Sequence, residues 1–244
     1  MKRVVLPFCI VLVSSLFCPA ADDVKVKRLF NGKNLDGWKA VNPQAANFWK
    51  VGEAKMSETE PRMLEAGPLE GNDAEQGNAA GALINTVGAD WKPQGIDLYS
   101  ETTFGDCVIE LEFMVAKNSN SGIYVMGEYE VQVLDSWGKE TLGNGDVGAL
   151  YGAAPPKVNA SLEPGVWQKF VIDFTAPRFD GEGKKIANAK FNRITLNGTV
   201  VQEDVEMKSF THGGIKSKEA PVGPLMFQGN HGPVAFRNIL VTDK

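Results

Sequence analysis

One short acidic segment carries the residue types from which a catalytic or binding surface could be built. In Glu128-Tyr129-Glu130-Val131-Gln132-Val133 polar and apolar residues alternate, which predicts a strand with one polar and one apolar face. Glu130 and Gln132 would share the polar face. The pattern fits a charged surface exposed to water, and it also fits the lining of a groove for a hydroxyl-rich ligand. For such a ligand, Tyr124 and Met126 on the preceding predicted strand would add a flat apolar contact.

A second polar group lies near the C-terminal end of the chain. The last predicted strand, residues 234–241, is apolar except at Arg237 and Asn238. Because an unpaired buried charge is costly, Arg237 needs a carboxylate or a ligand, and a structural ion pair would satisfy it as well as a substrate would. Gln228 and His231 lie just upstream in a glycine-flanked loop. His231 has either a structural or a catalytic role, and with Gln228 and Arg237 nearby the sequence leaves both open.

Several common catalytic signatures are missing from the sequence. It has no nucleophile elbow, no glycine-rich phosphate loop and no histidine pair at metal-ligand spacing. The two histidines and the single cysteine after residue 20, Cys107, disfavour a zinc site. We interpret His212 as a loop residue and Cys107 as a buried apolar residue. No cofactor is therefore certain, although the many carboxylates are compatible with a divalent cation such as calcium.

The candidate residues of the acidic segment and of the C-terminal part of the chain are predicted to lie on β-strands or next to them. Period-two alternation dominates the sequence and helical periodicity is scarce. The predicted strands cover residues 109–115, 123–126, 128–134, 167–175, 191–196, 199–202, 224–228 and 234–241. Asn197-Gly198 between two of them is a strong hairpin signal, because both turn residues require positive φ. The pattern predicts an all-β antiparallel sandwich or barrel, and no change of composition divides the single domain expected over residues 21–244.

The first twenty residues differ from the rest. Lys2 and Arg3 precede an apolar run over residues 4–17, and small residues follow before Ala21. This layout predicts a cleaved secretory signal peptide over residues 1–20 and a secreted or periplasmic protein. The formal net charge of −5 gives no attraction for nucleic acid or an anionic membrane. No other segment is long and apolar enough to span a bilayer.

Five motifs in order carry a resemblance over essentially the whole chain after residue 20. They are LFNGKNLDGW (29–38), NSGIY (120–124), EVQVLD (130–135), GALYG (148–152) and QGNHGPVAFRNI (228–239). Together they resemble the 3-keto-disaccharide hydrolases, a family of exported bacterial domains formerly of unknown function. The resemblance implies a concanavalin-like jelly-roll β-sandwich and a small carbohydrate substrate. It also implies cleavage of the glycosidic bond of 3-keto-glycosides.

The implied reaction makes definite chemical demands. A ketone at C3 acidifies the hydrogen on C2, so that a general base can remove it, and the enolate then expels the group at C1. Water adds afterwards, and the net result is hydrolysis. The site needs a base, an acid for the leaving oxygen, and donors or a cation for the enolate charge.

On this hypothesis Glu130 and His231 transfer the protons, and the choice between base and acid stays open. The other candidates would bind the substrate: Gln132, Tyr124, Asp135, Tyr151, Gln228 and Arg237. Among these, the two glutamines and Arg237 would position the sugar and stabilise negative charge. Asp135 would orient the substrate or hold a cation.

Two other functions fit the same sequence. A conventional retaining glycosidase would use Glu128 and Glu130, whose Cα atoms would lie roughly 6.5–7 Å apart on one face of a strand. Their carboxylates could then reach the separation of ~5–5.5 Å that a retaining mechanism needs. A non-catalytic carbohydrate-binding module would explain the polar and aromatic face without proton transfer.

Overall fold

The chain is described by a computed structural model that covers residues 25–69, 81–88 and 95–244. In these ranges it forms β-strands and no helix, and so no helix that could cross a bilayer. The strands are β1 (Val26–Arg28), β2 (Trp38–Ala40), β3 (Trp49–Met56), β4 (Leu64–Gly67), β5 (Ala82–Asn85), β6 (Leu98–Phe104), β7 (Cys107–Val115), β8 (Asn120–Val125), β9 (Tyr129–Leu134), β10 (Gln168–Thr175), β11 (Arg178–Phe179), β12 (Lys185–Ala187), β13 (Ala189–Leu196), β14 (Thr199–Met207), β15 (Gly223–Phe227) and β16 (Val234–Asp243). The predicted signal peptide, residues 1–20, lies outside the described residues.

Two antiparallel sheets form the sandwich. The large sheet has nine strands in the order β14-β13-β10-β7-β16-β5-β3-β4, with β1 added alongside β16. The small sheet has five strands in the order β2-β6-β15-β8-β9. A short pair, β11 and β12, stands apart from both. The predicted all-β class is confirmed as a concanavalin-like jelly-roll sandwich of antiparallel strands.

The core fills the space between the two sheets. Phe227 of the small sheet stacks on Phe236 of the large sheet with ring centroids 3.9 Å apart, and Trp38 stacks on Phe227 at 5.1 Å. Burying each of these rings stabilises the fold by about 1.5–3 kcal/mol relative to exposure. Cys107 is buried in the same core, and burial raises the pKa of its thiol to about 12. Its interpretation as a buried apolar residue is confirmed.

The sequence pattern located eight of the sixteen strands, β7–β10 and β13–β16, to within about five residues, and it located none of β1–β6. The hairpin prediction is confirmed: β13 and β14 pair antiparallel, and Asn197 and Gly198 between them have φ of 51° and 81°. Alternation in β9 places Tyr129, Val131 and Val133 in the core. The residues between them therefore project from the outer face of the small sheet.

Candidate active site

A cleft of about 320 Å³ lies against the outer face of the small sheet. We call it the Glu130 cleft. Its walls are Asp97, Asn120, Tyr124, Glu130, Gln132, Tyr151, His212, Gly213, Gln228, Asn230 and His231. Six of the eight predicted site residues are among them: Glu130, His231, Gln132, Tyr124, Tyr151 and Gln228. The structure brings these side chains together, and their chemical roles stay predictions.

The pairing of β8 with β9 positions the carboxylate at the centre of this cleft. In the register Tyr124 lies opposite Glu130, and Gly122 lies opposite Gln132. The Glu130 side chain folds across β8 over Gly122, because a Cβ atom at that position would lie only 2.3 Å from Glu130 Oε1. A glycine at this point of the strand therefore makes room for the carboxylate.

Glu130 is a buried acid with a shifted proton affinity. Only 3% of the Glu130 surface is exposed to solvent. Burial disfavours the charged form and raises the pKa of Glu130 to about 7, and the negative charge of Asp97 acts in the same direction. The hydrogen bond from Tyr124 opposes the shift. A carboxyl group with this pKa can both hold and release a proton near neutral pH.

The Tyr124 hydroxyl has one proton and two acceptors within reach. It lies 2.9 Å from Glu130 Oε2 and 3.2 Å from the backbone oxygen of His212. When Glu130 is ionised, the hydroxyl donates to the carboxylate. When Glu130 is protonated, the acid can donate to the tyrosine oxygen while the hydroxyl donates to the His212 carbonyl. Both protonation states of Glu130 therefore keep their hydrogen bonds.

The loop between β15 and β16 forms the opposite wall and is held by its backbone. Asp97 accepts a hydrogen bond from the Gly229 N–H at 2.8 Å, and Asn85 donates to the Gly229 carbonyl at 2.8 Å. The Ser121 hydroxyl donates to the backbone oxygen of Gln228 at 2.8 Å. These anchors fix the loop so that the side chains of Gln228 and His231 line the cleft.

His231 stands at the exposed rim of the cleft. Its Nδ1 contacts Oδ1 of Asn230. An amide oxygen only accepts, so this contact is a hydrogen bond in the tautomer that carries the proton on Nδ1, and in that tautomer Nε2 is the nitrogen that can accept a proton. Partial burial lowers the pKa of His231 from its ordinary value, and the charge of Asp97 opposes that shift. The lowered pKa favours the neutral form of the imidazole.

Gln132 offers an unsatisfied acceptor at the floor of the cleft. Its Nε2 donates to Asn120 Oδ1 at 2.6 Å, and its Oε1 is buried without a hydrogen-bond partner among the described residues. A buried acceptor left unpaired costs about 1–3 kcal/mol.

A segment over residues 211–218 crosses the outer face of the small sheet and separates Glu128 from Glu130. The N–H of Thr211 donates to the Glu128 carbonyl at 2.8 Å, and the Thr211 hydroxyl accepts from the N–H of Glu130 at 3.1 Å. The carboxylate of Glu128 accepts from the N–H of Lys216 at 2.8 Å. It lines a different cavity, of about 250 Å³, that shares no lining residue with the Glu130 cleft. The structure contradicts the expectation that Glu128 and Glu130 act as a pair on one sugar.

Arg237 lies on the far side of the sandwich, so the prediction that it contacts the ligand is wrong. Its neighbour Phe236 points into the core, and Arg237 therefore points away from the small sheet. The guanidinium donates to Glu112 at 2.7 Å and lies 4.0 Å from the ring centroid of Trp167. The structural ion pair is the correct interpretation. The prediction failed because the loop after β15 passes from the small sheet to the large one.

Asp135 also lies outside the cleft. Its carboxylate caps a turn, accepting from the N–H of Asn118 at 2.8 Å and from the N–H of Trp137 at 3.3 Å. The expectation that Asp135 orients substrate or holds a cation is therefore not supported by its position. Throughout residues 25–69, 81–88 and 95–244 no cluster of three or more His, Cys, Asp or Glu side chains has the arrangement of a metal site.

The aromatic contact surface differs from the predicted one. Tyr124 is 1% exposed and Met126 is 3% exposed, so neither offers an open face to a sugar. Met126, with φ of 55°, lines the separate cavity beside Glu128. Tyr151 is 47% exposed and is the aromatic ring available at the Glu130 cleft.

Five residues that line the cleft were not predicted as site residues: Asp97, Asn120, His212, Gly213 and Asn230. Asn120 and Asn230 belong to the motifs NSGIY (120–124) and QGNHGPVAFRNI (228–239), which are the sequence signal for both residues. The sequence indicates only a loop residue at His212. In the structure, the segment over residues 211–218 brings His212 to the Glu130 cleft. Asp97 precedes β6 in an irregular stretch with no local signal. Burial raises the pKa of Asp97, with the Gly229 N–H and His231 opposing.

Comparisons with known proteins agree with this architecture. The profile of the family described as the 3-keto-alpha-glucoside-1,2-lyase-like domain matches residues 25–242. A candidate glycosyl hydrolase from Parabacteroides distasonis, solved at 2.13 Å, is 28% identical with a TM-score of 0.62, over 91% of this chain and 84% of that one. A second candidate glycosyl hydrolase from the same organism, solved at 1.70 Å, shares the fold at 18% identity and a TM-score of 0.53, over 90% and 94% of the two chains. No curated protein is significantly similar. The chain belongs to the family of 3-keto-alpha-glucoside-1,2-lyase-like domains.

Proposed function

We propose that the Glu130 cleft cleaves the glycosidic bond of 3-keto-glycosides by removing the proton on C2. The observation that carries this proposal is the meeting of a buried carboxyl group of pKa about 7 with a neutral histidine in one cleft. Pairs of titratable groups whose environments shift them toward opposite protonation states are typical of acid and base partners. The family description and the 28% identical candidate glycosyl hydrolase support the same class of chemistry.

The environments of Glu130 and His231 suggest which residue is the base and which is the acid. We assign His231 as the base, because its lowered pKa favours the neutral imidazole and its Nδ1 contacts Asn230, which leaves Nε2 to accept the proton. Glu130 is the acid, because burial keeps it partly protonated at neutral pH. Nε2 takes the proton from C2, and the electrons of the C2–H bond form the C1–C2 double bond. The bond from C1 to the leaving oxygen breaks, and Glu130 gives that oxygen its proton. Addition of water across the double bond completes a net hydrolysis.

The other residues of the cleft would bind and orient the sugar. The amide group of Gln132, which lines the cleft, would form a hydrogen bond with a hydroxyl group of the substrate. Gln228 and Asn120 add amide groups to the lining of the cleft. The exposed face of Tyr151 would cover an apolar face of the ring.

The test uses two substrates that differ only in oxidation state. The wild-type protein is incubated with a disaccharide and with the same disaccharide oxidised at C3, and the released sugars are measured. The proposal requires cleavage of the 3-keto sugar alone. Cleavage of the unoxidised sugar would indicate a conventional glycosidase, and binding of either sugar without cleavage would indicate a carbohydrate-binding module.

The acid and base assignments have their own test. An acid is needed for a poor leaving group and becomes dispensable for a good one. Glu130→Gln should therefore keep much of its activity on a 3-keto-glucoside with a nitrophenolate leaving group and lose it with an alkoxide. His231→Ala should lose activity on both. The reverse pattern would exchange the two roles.

We also propose that the protein acts outside the cytoplasm. The support is the charge and hydropathy pattern of residues 1–20. N-terminal sequencing of the protein recovered from cell fractions tests this. A mature chain beginning at Ala21 in the periplasm or medium is expected, and an uncleaved cytoplasmic chain would refute it.

A further inference from the structure

We propose that a second cleft, beside the Glu130 cleft, binds the sugar that leaves when the glycosidic bond is cut. This inference rests on the proposed function and adds the position of the leaving group. The second cleft has a volume of about 460 Å³ and is formed by residues 151–153 and 206–212. It is larger than the Glu130 cleft and lies directly next to it.

The two clefts adjoin each other. Tyr151 and His212 line both of them and stand where they meet. A ligand longer than one sugar ring could therefore place one ring over Glu130 and the next ring past Tyr151. The cavity beside Glu128 does not have this relationship, because it shares no lining residue with the Glu130 cleft.

The lining of the second cleft has the chemistry of a sugar site. Two aromatic rings stand open to solvent, Tyr151 at 47% exposed and Phe210 at 37%. The same cleft is also lined by two charged residues and a hydroxyl group, which are Glu206, Lys208 and Ser209. Exposed aromatic rings beside polar groups cover the apolar face of a pyranose and bind its hydroxyls.

Backbone contacts hold this surface in register with the catalytic strand. The N–H of Tyr151 donates to the carbonyl of Glu130 at 3.2 Å. Thr211, which is 5% exposed, forms hydrogen bonds with the backbone of Glu128, just before β9, and of Glu130 on β9. The position of the second cleft relative to the Glu130 carboxyl group is therefore fixed by the fold, as binding of a leaving group requires.

Binding in the Glu130→Gln background tests the inference without depending on turnover. The dissociation constants of a 3-keto-disaccharide and of methyl 3-keto-glucoside, which fills one cleft only, are measured by titration calorimetry. We expect the disaccharide to bind about tenfold more tightly, and Phe210→Ala to abolish that advantage. Phe210→Tyr should restore it, and Ile186→Ala, which removes an exposed side chain on β12, should leave it intact.

The inference is overturned if the two ligands bind equally, if neither binds, or if Phe210→Ala weakens both by the same factor. A failure of the proposed function gives a different result. In that case the wild-type protein leaves the 3-keto-disaccharide intact, while the preference for two sugar rings and its dependence on Phe210 persist. That outcome would still support the second cleft as a binding site.

Discussion

The hydroxyl of Tyr124 donates to the carboxylate of Glu130 at 2.9 Å across the β8–β9 ladder. This contact depends on the register of the two strands. The alternation that buries Tyr129 and Val131 also directs the Glu130 side chain outward, where it meets Tyr124. The pair lies in a region where water is largely excluded, so the hydrogen bond strongly affects the proton affinity of the acid.

Removing this hydroxyl should shift the pH dependence of activity. The Tyr124 hydrogen bond stabilises the carboxylate form and so lowers the pKa of Glu130. In Tyr124→Phe that pKa rises above about 7, and since Glu130 acts as the acid, the alkaline limb of the pH–rate profile moves to higher pH. Tyr129→Phe is the matched control, because its hydroxyl donates to Glu219 outside the cleft. An unchanged profile in Tyr124→Phe would contradict the assignment.

Glu130 should also make the stability of the protein depend on pH. Its folded pKa of about 7 lies above the ordinary value of 4.5, so folding favours the protonated form. Stability is therefore greatest below the ordinary pKa and declines as the pH rises through 7. The loss is at most about 3 kcal/mol.

Denaturant titrations at pH 5 and pH 8 measure this effect. Glu130→Gln cannot ionise, so its stability relative to wild type should increase from pH 5 to pH 8. Glu182→Gln, at an exposed loop position, serves as the control. An identical pH dependence in Glu130→Gln and wild type would show that Glu130 is not held in its protonated form.

Gly122 should matter for activity although it carries no functional group. In Gly122→Ala the new methyl group would lie 2.3 Å from Glu130 Oε1 and would push the carboxyl group aside. A displacement of about 1 Å can reduce turnover by about a hundredfold. Gly181→Ala, where a Cβ atom meets nothing within 4 Å, is the control. Wild-type turnover in Gly122→Ala would mean that the position of the carboxyl group is unimportant.

Arg237 should be needed for stability and not for catalysis. Arg237→Met removes the pair with Glu112 and the contact with Trp167 on the back of the large sheet. Because the pair is partly exposed, we expect a loss of about 1 kcal/mol in the free energy of unfolding and unchanged turnover. Gln228→Ala should do the opposite, weakening substrate binding at nearly constant stability. Loss of turnover in a folded Arg237→Met variant would contradict this prediction and would mean that Arg237 contributes to the active site.

The sequence was informative wherever local periodicity decides the outcome. Alternation along β9 identified the outward side of Glu130 and Gln132, and Asn197-Gly198 located a hairpin. It was uninformative where the chain changes sheet. Gln228 and Arg237 lie nine positions apart, yet the connection between them takes Arg237 to the opposite side of the sandwich. Local pattern carries no information on such a crossing.

The remaining parts of the cleft depend on long-range contacts. Asp97 reaches the site through the pairing of β6 with β15, and its partner Gly229 is far away in the sequence. His212 arrives on the segment that crosses β9, held there by Thr211. Their contributions could not be derived from spacing, because neither lies in an element with a regular pattern.

The isotope content of the product tests the central claim most directly. The wild-type protein is incubated with a 3-keto-disaccharide in deuterium oxide, and the released 3-keto-glucose is examined early in the reaction for deuterium at C2, with enzyme-free incubations to subtract spontaneous exchange. Elimination followed by addition of water predicts one deuterium at C2 of each product molecule. A product that retains hydrogen at C2 would show that the glycosidic bond is broken by direct displacement and that Glu130 and His231 do not carry out the proposed proton transfer.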